Sequence, residues 1–151
     1  MESSFEFVFL CERPDLFKSL IDLLSKEWDV SHLREIEHDF SPDPSPSLPA
    51  TLLMLDNEGK LIGHSCIEEM DSITAEISFV IVETNRRGKG LGKILMNKIN
   101  GECSRRFSFS YSIVKCKGER ISFYTRCGYS LIGETEEKDD DKILHLMRKS
   151  L

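Results

Sequence analysis

Nowhere in the 151 residues is there an apolar run approaching the roughly 18 residues a membrane-spanning helix needs. Positive charge is in short supply: 20 lysines and arginines stand against 26 acids, a net charge of −6. That balance excludes a broad basic surface for nucleic acid and leaves room only for a local basic pocket. The five cysteines (Cys11, Cys66, Cys103, Cys116 and Cys127) form no CxxC pair, which argues against a zinc ribbon or a thioredoxin-like site. They read as reduced thiols of an intracellular protein. His32, His38, His64 and His145 lack ligand spacing, so no metal is expected. Met1 to Leu10 carries acids where a secretory leader needs bases and lacks its long apolar stretch, so the expected location is the cytoplasm.

Proline is also scarce, except in one place. Four of the five prolines fall within residues 42–49, which must be a loop, since proline cannot continue a helix or an inner strand. The rest of the chain has clear periodicity. Phe5 to Leu10 reads as a strand. Pro14 opens a helix with Leu16, Phe17, Leu20, Ile21 and Leu24 at helical spacing and Trp28 near its end. Ser31 caps a second helix through about Phe40. Strands are expected over Thr51–Leu55, Leu61–Glu69 and Ile73–Val82, the last apolar on both faces and so central. A helix follows over about Gly90–Ser104, then a strand over Phe107–Val114 and a short helix over Glu119–Cys127 ended by Gly128. Tyr129–Gly133 and Ile143–Met147 form a closing hairpin around an acidic loop. This order suits one domain, residues 1–151, built on a mixed sheet with helices on both faces.

The most informative stretch is the passage from the central strand through Arg86-Arg87-Gly88-Lys89-Gly90-Leu91-Gly92-Lys93 into the following helix. Closely spaced glycines let a main chain turn tightly against a ligand. The free N–H groups of the first helical turn then favour an anion, typically a phosphate. The spacing is neither GxxxxGK[ST] nor GxGxxG. Arg87-Gly88-Lys89-Gly90-Leu91-Gly92 instead resembles the RxxGxG signature of the GNAT N-acetyltransferase superfamily. Ala75-Glu76-Ile77 with Val80-Ile81-Val82 looks like that family's fourth strand, and Phe123-Tyr124-Thr125-Arg126-Cys127-Gly128-Tyr129 looks like its FYxxxGF/Y element. The resemblance implies the GNAT fold, an α/β (α+β) architecture with a single mixed, largely antiparallel seven-stranded sheet flanked by about four helices. It also implies acetyl-CoA as acetyl donor.

The resemblance assigns roles as well. Val80, Ile81 and Val82 would hold the pantetheine arm where two strands splay. Arg87, Gly88, Lys89, Gly90, Leu91, Gly92 and Lys93 would cradle the pyrophosphate, and Ser122 and Tyr124 would complete the coenzyme site. Tyr124 matches the tyrosine that protonates the departing thiolate. Glu76 matches a catalytic glutamate, with Ser78 two residues along the same strand face to place a water. His64 is the other candidate base. Direct attack in a ternary complex is expected, because a ping-pong route through Cys66 or Cys116 would need a reactive thiol where buried cysteines are usually inert.

For the amine, the first half of the chain resembles the branch acetylating the N-terminus of processed actins. The pieces are Arg13-Pro14-Asp15-Leu16, Glu27-Trp28, Arg34, Gly63-His64 and the closing Tyr129–Glu134. That branch implies an acidic protein N-terminus as substrate, with Trp28, Arg34, Lys115 and Arg120 as candidate substrate contacts. An α-amine with a pKa near 7.7–8.0 needs only a modest base. The alternatives are a small cationic amine such as a polyamine, which the acidic 134–141 segment would attract, and a non-catalytic acyl-CoA-binding module. Neither a nucleic acid nor a membrane partner is expected, and a monomer is the default.

Overall fold

In the computed structural model, residues 4–28 and 46–151 are described. The expected second helix and Arg34 lie outside them. Seven strands form one sheet in the order β1-β2-β3-β4-β5-β7-β6. They are β1 (Glu6–Phe9), β2 (Ala50–Leu55), β3 (Leu61–Glu69), β4 (Thr74–Val82), β5 (Tyr111–Cys116), β6 (Ser130–Asp139) and β7 (Lys142–Ser150). Every pairing is antiparallel except β4 with β5. Among the described residues three α-helices accompany the sheet: α1 (Phe17–Leu24), α2 (Leu91–Arg105) and α3 (Ile121–Arg126). No described helix is long and apolar enough to cross a membrane.

The sheet is buried on both faces because its central strands carry apolar side chains on both. All six residues of β2 are buried. Leu52 and Met54 join α2's Leu91, Leu95, Met96 and Ile99 in one core. Leu53 and Leu55, pointing the opposite way by the two-residue period of a strand, join α1's Leu20, Leu23 and Leu24 in the other. A buried polar tie fastens α2 to β5. The Ser112 hydroxyl donates to Asn100 Oδ1 at 2.7 Å and meets the Tyr129 hydroxyl at 2.8 Å.

Three expected elements differ from those observed. The first helix is α1 preceded by a 3-10 turn at Pro14–Leu16 and followed by a turn through Trp28. The strand expected over Phe107–Val114 is β5, starting at Tyr111. Its alternating phenylalanines imitate a strand, but Ser108 takes a positive φ of 60° and Phe109 is buried in the core, its N–H donating to Cys103 at the end of α2. The acidic segment expected as a loop is strand. β6 runs to Asp139, and the hairpin turns on Asp140 and Asp141, with φ of 51° and 61°. Aspartate tolerates the left-handed region that a two-residue hairpin turn demands. Acids disfavour strands in general, but here cations offset them. Lys115 on β5 meets Glu137 at 2.8 Å, and Lys117 lies 3.5 Å from Asp139 and 3.2 Å from Asp140.

Burial rather than helix propensity is expected to set the stability of α2. Leu95→Ala removes a fully buried side chain and should lower the unfolding free energy by about 2–5 kcal/mol. Ile94→Ala, one residue away and 39% exposed, should cost under about 1 kcal/mol. Urea titration of both variants checks this.

Candidate active site

β4 and β5 pair only at Thr74–Glu76 against Tyr111–Ile113 and then separate. Beyond that point lies a cavity of about 470 Å³. Its walls are Val80, Ile81 and Val82 from β4, Arg87, Gly88 and Gly90 from the turn, Leu91, Gly92 and Lys93 from α2, and Phe123, Tyr124, Arg126 and Cys127 from α3 and its end. Glu27 and Arg120 stand at it as well.

The separation coincides with a bulge in β4. Cys66 pairs with Ser78 and His64 with Ile81, so the intervening register slips and Phe79 takes a φ of 52°. A bulky residue there stores about 1–3 kcal/mol of strain. Two contacts oppose it. The His64 ring N–H (Nδ1) donates to the Phe79 carbonyl at 2.8 Å, and the Phe79 ring meets Trp28 edge-on at 5.4 Å. Before the bulge Glu76 and Ser78 face α1's side of the sheet; beyond it Val80 and Val82 pack toward α2's side.

The turn below the cavity is shaped by glycine. Gly88 and Gly90 have φ of 79° and 78°, and a Cβ on either would project into open space. Gly90 is the N-cap residue of α2, so the amides of Leu91, Gly92 and Lys93 have no partner within the helix. Gly92 is needed for a different reason. A Cβ there would stand 3.0 Å from the Phe123 ring, so glycine lets α3 close on α2. The entry to the turn is anchored by Arg86, whose guanidinium donates to Asp56 at 2.8 Å. Free N–H groups, a positive helix end and the exposed cations Lys93 and Arg126 suit a pyrophosphate.

The expected site residues divide as follows. Val80, Ile81, Val82, Arg87, Gly88, Gly90, Leu91, Gly92, Lys93 and Tyr124 line the one cavity. Ser122 is exposed and not among its walls. Lys89 lines a second cavity with Asp56 and Arg86. Arg87 turns part of its charge inward, donating to the Val82 carbonyl at 2.9 Å and lying 3.8 Å from Glu27. Arg120 also lies 3.8 Å from Glu27. Lys115 lies 3.5 Å from Glu76 and 2.8 Å from Glu137. Ser78 Oγ is buried with no hydrogen-bond partner among the described residues. Glu27, Arg126, Phe123 and Cys127 were not expected among the coenzyme walls; the last three sit within the FYxxxGF/Y stretch, and Glu27 belongs to the Glu27-Trp28 piece of the branch resemblance.

The two tyrosines of that stretch play different parts. Both are buried, and burial pushes both phenols well above their ordinary range. Tyr129 is hydrogen-bonded to Ser112 and Asn100 inside the core. The Tyr124 hydroxyl makes no hydrogen bond among the described residues, and the residue lines the cavity. It therefore carries an available proton at any ordinary pH.

A model of the GNAT acetyltransferase family matches residues 14–129. The chain belongs to this family. Solved structures share the fold. Escherichia coli ElaA superposes with a TM-score of 0.73 at 19% identity, covering 98% of this chain and 99% of its own. The spermidine/spermine N-acetyltransferase SpeG from Vibrio cholerae gives 0.76 at 18%, over 97% and 92%. An acyl-CoA N-acyltransferase from Pseudomonas aeruginosa gives 0.72 at 16%, over 98% and 99%. No curated protein matches the sequence. Acetyl-CoA is the family's acetyl donor, and the cradle at Gly88–Lys93 fits its phosphates.

His64 does not present a base to the cavity. It is fully buried, and burial holds its pKa down at about 4 against the usual 6.5. Its other nitrogen lies 3.4 Å from Cys66 Sγ, placed to accept the thiol proton. Burial also raises the Cys116 thiol and pushes Cys103 up to about 12, which disfavours the thiolate at both.

Two outcomes are expected. Gly90→Glu places a strained side chain and a negative charge in the cradle and should weaken coenzyme A binding at least tenfold by calorimetry. The second concerns pH. Since the folded pKa of His64 lies below the unfolded one, the unfolded chain gains its proton first on acidification. The contribution is complete above about pH 6.5 and is lost as pH falls toward 4. The loss reaches about 2 kcal/mol at pH 5, seen in denaturant titrations of the wild type and missing in His64→Asn.

Proposed function

We propose that this GNAT protein is a one-domain enzyme, spanning residues 1–151, that transfers the acetyl group of acetyl-CoA to a small cationic amine of the polyamine class. The observation that carries the substrate class is the charge beside the β4–β5 split. Glu68 and Glu76 stand directly across the β3–β4 ladder. Glu137 reaches toward Glu76 through Lys115, and the β6–β7 hairpin beyond carries a run of acids. Such a surface attracts an oligocation and repels an acidic peptide. Among the described residues, the candidate cations for an acidic protein N-terminus are engaged by acids of this chain. Lys115 and Lys117 are bound by hairpin acids, and both are raised above the ordinary lysine range, chiefly by their hydrogen bonds to Glu137 and Asp140. Arg120 faces Glu27. The structural likeness to the Vibrio cholerae spermidine acetyltransferase supports the same direction at the level of fold.

The coenzyme, when bound, supplies an acetyl thioester. The chain's own residues do the rest. The amides at the first turn of α2, with Lys93, hold the phosphates, and Val80–Val82 offer main-chain groups along the cavity. Glu76 accepts the amine proton, directly or through a water held by the unpartnered Ser78 hydroxyl. Tyr124 donates its phenolic proton to the departing thiolate.

Coenzyme A thiol release should follow incubation with acetyl-CoA and spermine, and not with an acidic actin-like N-terminal peptide. Selective turnover of the acidic peptide would overturn the substrate assignment. Coenzyme binding with no turnover of any amine would favour a binding-only module. Tyr124→Phe should lower kcat about 100-fold while leaving the amine KM within about threefold; unchanged kcat removes the acid role. Replacing Asp139, Asp140 and Asp141 together by Asn should raise the spermine KM several-fold and flatten its dependence on salt.

A further inference from the structure

We infer that His64 is a positioning residue for acetyl transfer: its imidazole locks the β4 bulge that sets the main chain of Val80 against the coenzyme. The inference rests on the acetyl-transfer reading above and adds to it that, of the Val80–Val82 main chain along the cavity, Val80 borders the reacting thioester.

Phe79 and Val80 are the only β4 residues between Ser78 and Ile81, and neither has a register partner on β3. On the other side β5 has already left, its last pair being Glu76 with Ile113. No sheet ladder therefore fixes the direction of this dipeptide. Phe79 is moreover in a backbone region that a bulky residue leaves readily if nothing holds it.

The Trp28 ring meets the Phe79 side chain, but what holds the Phe79 carbonyl is one short bond from the neighbouring strand. His64 Nδ1 lies 2.8 Å from the Phe79 carbonyl, and a carbonyl can only accept, so the ring must carry its proton there. The far nitrogen is then the acceptor, and Cys66 Sγ stands 3.4 Å from it. Thr51 Oγ1 lies 3.8 Å from the same sulfur. The chain Thr51–Cys66–His64–Phe79 runs from β2 across β3 to β4, all of it on the α1 side of the sheet. Its first three side chains are buried, as a fixed tautomer in a rigid frame requires. Burial also keeps the ring neutral, so it neither repels a cationic substrate nor trades protons with it.

A bond made at the Phe79 carbonyl fixes the peptide plane that also contains the Val80 N–H. Releasing it leaves the phosphate cradle on α2 intact and disturbs only the group next to the thioester. Binding and turnover should therefore separate.

The test compares three replacements. His64→Asn keeps an N–H donor at the place of Nδ1. His64→Gln moves the donor toward the place of Nε2, and His64→Leu keeps apolar bulk with no donor. Kinetics with acetyl-CoA and spermine are measured alongside calorimetric coenzyme A affinity. Asn should retain kcat within about threefold. Gln and Leu should lose at least tenfold in kcat with the coenzyme A Kd changed less than about threefold. Equal kcat in Asn and Gln, or losses that track coenzyme affinity or melting temperature alone, would overturn the inference. If Leu fails to fold, the Asn and Gln pair decides it. The Val80 amide in ¹⁵N spectra gives a reading independent of turnover. Its coenzyme A-induced shift should survive in Asn and shrink in Gln, and retention of the shift in both would also overturn the inference. A wild type with no turnover would defeat the functional proposal while leaving this second reading in force.

Discussion

The structure depends on a sheet that is held together at one end of β4 and let go at the other. Three residue pairs tie β4 to β5, and then the strands part. A continuous ladder would satisfy more main-chain groups within the protein, but it would leave nowhere for a ligand to meet them. The bulge at Phe79 is the local form of that compromise. It turns Glu76 and Ser78 to one side of the sheet and Val80 and Val82 to the other, so one short strand presents polar side chains on one face and cavity walls on the other. The strain is tolerated because β3 holds it with His64 and the α1 side holds it with Trp28.

The rest of the core serves that split. α2 is pressed to the sheet by Leu91, Leu95, Met96 and Ile99, which aims its N-terminal amides at the cavity. Gly92 lets Phe123 approach, which brings α3 and Tyr124 to the opposite wall. The Ser112–Asn100–Tyr129 tie fixes the same corner from below. Two tyrosines five residues apart thus acquire different chemistry from their neighbours alone. One has its hydroxyl consumed by the core, and the other keeps it for the cavity.

Electrostatics divides the surface in a matching way. Cations with no acidic partner among the described residues, Lys93 and Arg126, stand at the coenzyme cavity. Acids gather on the other side of the β4–β5 split, where Lys115 and Lys117 are absorbed by the hairpin. A polyanion and an oligocation would therefore be drawn to different parts of this surface.

Much of this was legible in the residues. The GxGxG turn between an apolar strand and an amphipathic helix marked the cradle, because only glycine takes those dihedrals and only a helix start supplies free amides. The two-faced apolar pattern marked β4 as central. The tyrosine run at 123–129 marked the opposite wall. Local patterns carry such information because it is set by dihedral preference and periodicity, which neighbouring residues share. Other features depended on contacts between distant segments. Phe107 and Phe109 look like strand until the end of α2 draws the chain in, burying Phe109 and half-burying Phe107. The acids of 134–139 look like loop until Lys115 and Lys117 neutralise them from β5. His64 looks like a base until β4 closes over it, and Lys115 looks like a substrate cation until Glu76 and Glu137 flank it. By itself the sequence determined the family, the order of the described strands and the glycine turn at the start of α2. Tertiary structure alone decided which polar side chains are free to act, because a partner's distance, unlike a periodicity, is not written in the neighbouring residues.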